Sequence, residues 1–359
     1  MDRQSTSGKP GAESDPSGAR AARPTSHDVA RLAGVSQPTV SRAMRGDASV
    51  AEATRERVRS AALTLGYTPS EIGRSLVTRS TRTVGMVVTD LTNPFYPYLV
   101  APLHDELADL GYRMVLLTER AEPGGGDAEG LRRLHDRSID GVVLTTSTLD
   151  SAVPHELARH ALPFVFLTRT VTGVAADSSV VDNVLGGSMV AAAITEYGHE
   201  RIGAIFGPET TSTGRDRERG FRAGLAEAGV VLAPDAVRHG PFVPETGYRA
   251  MAELMALSQR PTAVFCGNDT VAIGALNASR GLGLDVPGDV SVVGFDDLPL
   301  ADWEVFELTT VHQPMNEMAR AAARLLVERT EGRVDNAKPR QLVFEPRLVI
   351  RRTLGRPGR

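Results

Sequence analysis

The chain has 359 residues, 41% of them hydrophobic and 23% charged, and a net charge of −4. At roughly 150 residues per domain this length suits two or three domains with cores that need no covalent staples. The one cysteine, Cys266, excludes an internal disulfide framework and is read as cytoplasmic. No apolar run approaches the ~18 residues of a membrane span, and the N-terminus lacks the apolar core of a signal peptide.

The charge is uneven. Residues 1–82 hold 13 Lys and Arg against 8 Asp and Glu, whereas residues 83–359 hold 27 against 36. A basic head on an acidic body places a polyanion partner at the head, where counterion release drives binding.

Residues 1–23 are rich in Gly, Ser, Pro and Ala and are expected to be disordered. Three short helices are expected over 24–69. Thr25 and Asp28 form a capping-box pair for the first, Ser36 caps the second, and Pro38 sits in its first turn. Gly34 punctuates between them. Val58, Ala61, Ala62 and Leu65 share one face of the third helix, which Gly66, Tyr67 and Pro69 end. Val29, Leu32, Val35 and Val40 are expected to form the small core.

This helix–turn–helix order points to DNA. A helix fits the major groove, with its first residues against base edges. Gln37, Pro38, Arg42 and Arg45 are candidates for base contact, and Thr25, Ser36, Thr39 and Ser41 for phosphates. A generic helical hairpin with a solvated face is the alternative for this segment alone.

Residues 70–82 are polar and basic around Leu76–Val77 and read as a linker. From Thr83 onward, apolar runs recur at 84–88, 113–117, 141–145, 164–167, 202–206, 263–266 and 290–295, with helix-length segments between most of them. Short apolar strands alternating with helices indicate parallel sheets buried on both faces. Seven such strands over this length suggest two doubly wound lobes. The closing RRTLGRPGR is basic and expected to fray.

The ordered motifs TSHDVARLAGVSQPTVSRAMRG, TRERVRSAALTLGYTP, RSLVTRSTRTVGMVVTDLTNPFY, VSVVGFDD and LTTVHQP resemble the LacI/GalR family of bacterial transcription regulators, over residues 24 to about 352. The resemblance implies a three-helix helix-turn-helix head, a hinge helix, and a periplasmic-binding-protein-like α/β body of two doubly wound parallel-sheet lobes. The domains expected are a head over 24–69, a hinge over 70–82 and a body over 83–352. Lobe one covers about 83–181 plus 312–345, lobe two about 182–311, and 353–359 is a tail. In the hinge, Leu76 matches a minor-groove wedge and Arg74 a DNA contact, with Gly73 where Ala is commoner. Gly73 suggests a hinge that orders only on DNA. Ala51 stands where family members have a Ser cap, which costs ~1 kcal/mol unless Ser49 takes over.

The resemblance also implies a ligand between the lobes. The positions carried over are Asn93, Phe95, Tyr96, Thr168, Arg169, Arg217, Phe242, Asn268, Asp269, Asp296 and Gln313. A carboxylate accepting hydroxyl donors, an arginine donating to oxygens, and aromatic walls suit a sugar-like polyol. Thr168 departs from the Asp often found in sugar-responsive members. Trp303 is a further aromatic, more in keeping with packing or a dimer face. His199, in EYGHERIG, reads as structural.

The expected function is a ligand-switched DNA-binding transcription regulator, a repressor, dimeric on a palindromic operator. No heptad tail for tetramers follows Arg352. No P-loop, G-x-G-x-x-G after a strand, G-x-S-x-G or H-E-x-x-H occurs, so no enzyme activity, cofactor or metal is expected. The alternative is a sugar-binding protein or sugar-active enzyme built on the same body.

Overall fold

The computed structural model describes residues 24–68, 80–89, 91–118, 138–335 and 338–358. The N-terminal extension and the hinge residues Arg74 and Leu76 lie outside the described residues. The chain forms two compact units, Met1–Arg79 and Ser80–Arg359.

The head is built from α1 (Ser26–Ala33), α2 (Gln37–Met44) and α3 (Glu52–Leu65). Thr25 caps α1 through a complete capping box with Asp28, and the left-handed Gly34 (φ 65°) stops it. Ser36 caps α2 by accepting from the Thr39 amide at 3.3 Å. Helix α3 starts at Ala51 with no side-chain cap, and Ser49 does not supply one. Val29, Ala30, Ala33, Val40, Ala43, Val50, Val58, Ala61 and Ala62 form the core, with Val35 packed against it. Leu32 does not join it and is 54% exposed, which corrects the sequence reading. At ~100° per residue, Leu32 falls outside the arc that Val29, Ala30 and Ala33 turn inward.

The body opens with a six-stranded parallel sheet. Its strands are β1 (Thr83–Val88), β2 (Arg113–Thr118), β3 (Gly141–Leu144), β4 (Phe164–Leu167), β5 (Asp177–Val181) and β11 (Gln341–Phe344), in spatial order β11-β5-β4-β3-β1-β2. Helices α4 (Pro97–Asp109) and α5 (Val153–Arg159) follow β1 and β3. A second, four-stranded parallel sheet has the order β7-β6-β8-β9, with β6 (Ile202–Phe206), β7 (Val237–His239), β8 (Ala263–Cys266) and β9 (Ser291–Val293). The helices here are α6 (Asn183–Glu196), α7 (Ser212–Glu227), α8 (Pro244–Met255) and α9 (Asp269–Gly281). Strands β10 (Thr310–His312) and β12 (Arg347–Val349) pair antiparallel, and α10 (Met315–Thr330) packs on the six-stranded sheet.

All seven apolar runs are strands. Among the remaining strands, β5 opens on a polar Asp-Ser-Ser run. Its first residue, Asp177, is fully buried, yet both carboxylate oxygens are satisfied: Arg329 donates to them at 2.6 and 2.7 Å, and Arg340 donates from its side chain at 2.8 Å. These donors hold the Asp177 carboxyl below the ordinary aspartate range against the opposing effect of burial. Such pairing offsets the cost of burying the carboxylate inside a sheet.

The C-terminal segment does not fray, which corrects the second expectation. Thr353 and Leu354 are buried, and Thr353 exchanges bonds with Val292, its carbonyl accepting at 2.8 Å and its hydroxyl donating at 2.6 Å. The segment covers the otherwise open edge of β9. His199 lies within 2.8 Å of the Gly355 carbonyl and 2.9 Å of the Thr262 hydroxyl, a structural role.

Candidate DNA interface and ligand cleft

In the head, Thr25, Ser36, Pro38, Arg42 and Arg45 are exposed, and Gln37, Thr39 and Ser41 half-exposed. Gln37, Pro38, Ser41 and Arg42 lie on the first two turns of α2, and Arg45 is its C-cap. The opposite face carries Val40 and Ala43 into the core. Gln37 reaches Ser26 at 3.4 Å, so its amide is held beside α1. The geometry is a rigid short helix with a polar, cationic outer face, the form a major groove admits.

In the body, the candidate residues gather where strands end. A cleft of about 410 Å³, counting its open mouth, is lined by Asn93, Phe95, Tyr96, Thr145, Thr168, Arg169, Thr213, Arg217, Phe242, Asn268 and Asp296. Asn93, Phe95 and Tyr96 follow β1, Thr168 and Arg169 follow β4, Phe242 follows β7, Asn268 follows β8 and Asp296 follows β9. That is the carboxyl end of the strands, where open parallel sheets present their loops to ligands.

Arg217 organises the floor. It is 4% exposed and sits on α7, where Thr211 caps the helix by accepting from the Gly214 amide. Its Nε donates to Asn183 Oδ1 at 2.9 Å, and an Nη donates to the Gly267 carbonyl at 2.7 Å and pairs with Asp296 at 3.1 Å. The guanidinium lies 3.7 Å from the centroid of the Phe295 ring. Gly187 of α6 makes this seat possible, because a Cβ there would stand 2.3 Å from the Arg217 carbonyl.

Burial pushes the Asp296 carboxyl up to about 6, while Arg217 and Gln313 pull it back toward the ionised form. Two of the lining residues, Thr168 (φ 71°) and Asp296 (φ 125°), have positive φ. For a β-branched residue this is an outlier that surrounding contacts must enforce. The Thr168 amide donates to Ser179 at 3.0 Å, and the Asp296 amide to Val311 at 2.9 Å.

Two expected residues lie behind the cleft instead of lining it. Gln313 is buried and donates to Asp296 at 2.7 Å, leaving its Oε1 without a partner. Asp269 is fully buried; it accepts from the Leu298 amide at 2.8 Å and from the Thr310 hydroxyl. Burial and the neighbouring Asp296 raise its carboxyl well above the usual range. Trp303 is 61% exposed and does not line the cleft.

Sequence reasoning missed Thr145, Thr213, Asn183 and Phe295. Thr145 ends an apolar run just as Thr168 does, and Thr213 stands one helical turn before Arg217, so both were findable. Nothing local marks Asn183, whose role exists only because α6 crosses α7.

Residues 25–70 match the model of bacterial regulatory proteins of the lacI family, and residues 191–354 match that of a periplasmic binding protein-like domain. The chain is 37% identical over 343 residues to the HTH-type transcriptional regulator CelR of Thermobifida fusca, covering 92% of this chain and 98% of that protein. The chain belongs to the LacI family. This LacI-family regulator is also 35% identical over 334 residues to the ribose operon repressor of Haemophilus influenzae, covering 92% and 98% of the two chains. Among solved structures it resembles the transcriptional regulator CelR–cellobiose complex, with a TM-score of 0.70, 34% identity, and coverage of 92% of this chain and 100% of the other. The LacI-family chain is thus a DNA-binding transcription regulator with a helix-turn-helix head. No helix among the described residues is long and apolar enough to cross a membrane.

Proposed function

We propose that the protein is a cytoplasmic, dimeric repressor whose affinity for a palindromic operator is switched by a carbohydrate held in the cleft. The observation that carries the ligand half is the buried Arg217–Asp296 pair set beside Phe95 and Phe242. A carboxylate and a guanidinium address hydroxyl and ring oxygens, and aromatic faces cover the apolar side of a sugar ring. The solved relative in complex with cellobiose, and the relative named for a ribose operon, support the same class.

On the DNA side, Gln37, Pro38, Arg42 and Arg45 take the base edges, and Thr25, Ser36, Thr39 and Ser41 the phosphates. Arg74 and Leu76 act in the minor groove. In the cleft, Asn93, Phe95, Tyr96, Thr168, Arg169, Arg217, Phe242, Asn268 and Asp296 contact the ligand, with Gln313 bonded to Asp296 from behind and Asp269 anchoring the Leu298 amide and Thr310 hydroxyl next to it. The role is binding, with no catalytic step.

The test is fluorescence anisotropy with DNA from upstream of the protein's own operon, with and without sugars. Specific binding that a sugar changes is the expected result. Arg42→Ala should cost ~1–3 kcal/mol in operator binding and relax preference at one base position. Absence of specific binding to any neighbouring promoter at low salt would overturn the reading.

A further inference from the structure

The linker expected over 70–82 ends in three described residues, Ser80, Thr81 and Arg82, which belong to the body. One side chain holds all three. Asp140 Oδ1 accepts from the Thr81 amide and the Thr81 hydroxyl, each at 2.8 Å. Its Oδ2 accepts from the Ser80 hydroxyl at 2.5 Å and from the Arg82 amide at 2.8 Å. Bonds to an ionised carboxylate are the strong kind. The Asp140 amide in turn donates to the Thr83 carbonyl at 2.7 Å.

Arg82 is held from its other sides as well. Its carbonyl accepts from the Arg113 amide at 2.8 Å, its guanidinium donates to Glu331 at 2.8 Å and lies 4.9 Å from the Tyr112 ring centroid. Its φ of 50° is a left-handed conformation that surrounding contacts must enforce. The course of the chain as it enters the body is therefore fixed residue by residue.

Asp140 immediately precedes β3, which runs parallel to β1 with Val84 opposite Gly141. At the carboxyl ends of the same two strands, Thr145 lines the cleft and its hydroxyl donates to the Val87 carbonyl. The pair of strands is tied at both ends. One end carries the cleft and the other the linker junction, roughly 20 Å apart at about 3.3 Å per strand residue.

Two heads carried on one dimer reach two half-sites, and the gain from the second head depends on how closely its tether is confined. We propose that Asp140 is a positioning residue for operator recognition: by clamping Ser80–Arg82 it fixes the point from which each head is tethered, and so raises the effective concentration of the second head at a full operator. The proposal rests on the dimeric reading above and is independent of the identity of the ligand.

The test uses the full chain and a palindromic duplex that the wild type selects from a random pool, together with a duplex carrying half of it. Fluorescence anisotropy gives the ratio of full-site to half-site affinity. In Asp140→Asn the amide NH2 must face the backbone N–H of either Thr81 or Arg82, whichever way it turns, and that pair of bonds is lost. The ratio should fall about tenfold, with half-site affinity kept within about twofold. Thr81→Val removes one bond of the clamp and should lower the ratio by a smaller factor, and by less still when added to Asp140→Asn. A ratio unmoved in Asp140→Asn, or full-site and half-site affinity falling together, overturns the proposal and leaves the dimeric reading intact. Should Asp140→Asn fail to fold, Thr81→Val decides alone, and an unmoved ratio there overturns the proposal. A wild type with no full-site advantage overturns both readings.

Discussion

Asp296 shows how one residue couples protonation to ligand binding. Its carboxyl titrates near 6, above the usual aspartate value of 3.8, mainly because it is buried. The folded body therefore holds that proton where the unfolded chain would release it. The resulting stability is present in full below the ordinary aspartate range and is lost as pH rises through about 6. Ligand binding has the opposite dependence. Hydroxyl donors favour the carboxylate, so binding releases a proton and tightens as pH rises through the same range. We expect effector affinity about tenfold weaker at pH 5 than at pH 7.5. Asp296→Asn should bind more weakly and lose that pH dependence. A wild-type dissociation constant flat between these values would exclude Asp296 as an acceptor of ligand hydroxyls.

At the scale of elements, the cleft depends on helix crossings that only glycine permits. Gly220 of α7 lies so close to α6 that a Cβ would stand 1.9 Å from the Val184 carbonyl. Gly247 of α8 meets the Val271 carbonyl of α9 at the same 1.9 Å. In each case the obstacle is backbone, which cannot rotate away. Gly220→Ala should therefore destabilise the body by about 1–3 kcal/mol, despite the better helix propensity of alanine. Because α7 carries Arg217, the same change should weaken ligand binding. Thermal unfolding with and without ligand measures both. Unchanged stability would mean that α6 and α7 separate at little cost.

Across the whole body, direct hydrogen bonds tie the two lobes over the cleft. Asn93 donates to the Phe242 carbonyl at 3.2 Å, the Leu149 amide to the Thr210 carbonyl at 2.8 Å, and the Thr170 amide to the Ser212 hydroxyl at 3.0 Å. Each joins a loop of the six-stranded sheet to a loop or helix start of the four-stranded one. They stabilise a closed arrangement, and a ligand that bridges the same lobes draws on that arrangement. Ser212 lies outside the cleft lining, so its loss should act on closure alone. At ~0.5–1.5 kcal/mol per hydrogen bond, Ser212→Ala should raise the effector dissociation constant about two- to tenfold. Titration calorimetry reads this directly, and an unchanged constant would show that this bond does not hold the lobes together.

Much of this protein is determined by local sequence. Hydrophobic periodicity and caps suffice for the three head helices, because a capping box, a serine cap and left-handed glycines act within a few residues. Apolar runs suffice for seven strands, six of them buried on both faces and the edge strand β2 largely exposed, and the loops after them carry eight of the cleft-lining residues. Tertiary structure decided the rest. The C-terminal segment is ordered because β9 offers it an open edge. Asp177 makes a polar strand because two distant arginines reach it. Asp269 and Gln313 stand behind the cleft, and Asn183 joins Arg217, because residues far apart in the chain converge there. Whether a polar group faces a ligand, another side chain or solvent depends on such long-range neighbours, and no local pattern encodes them.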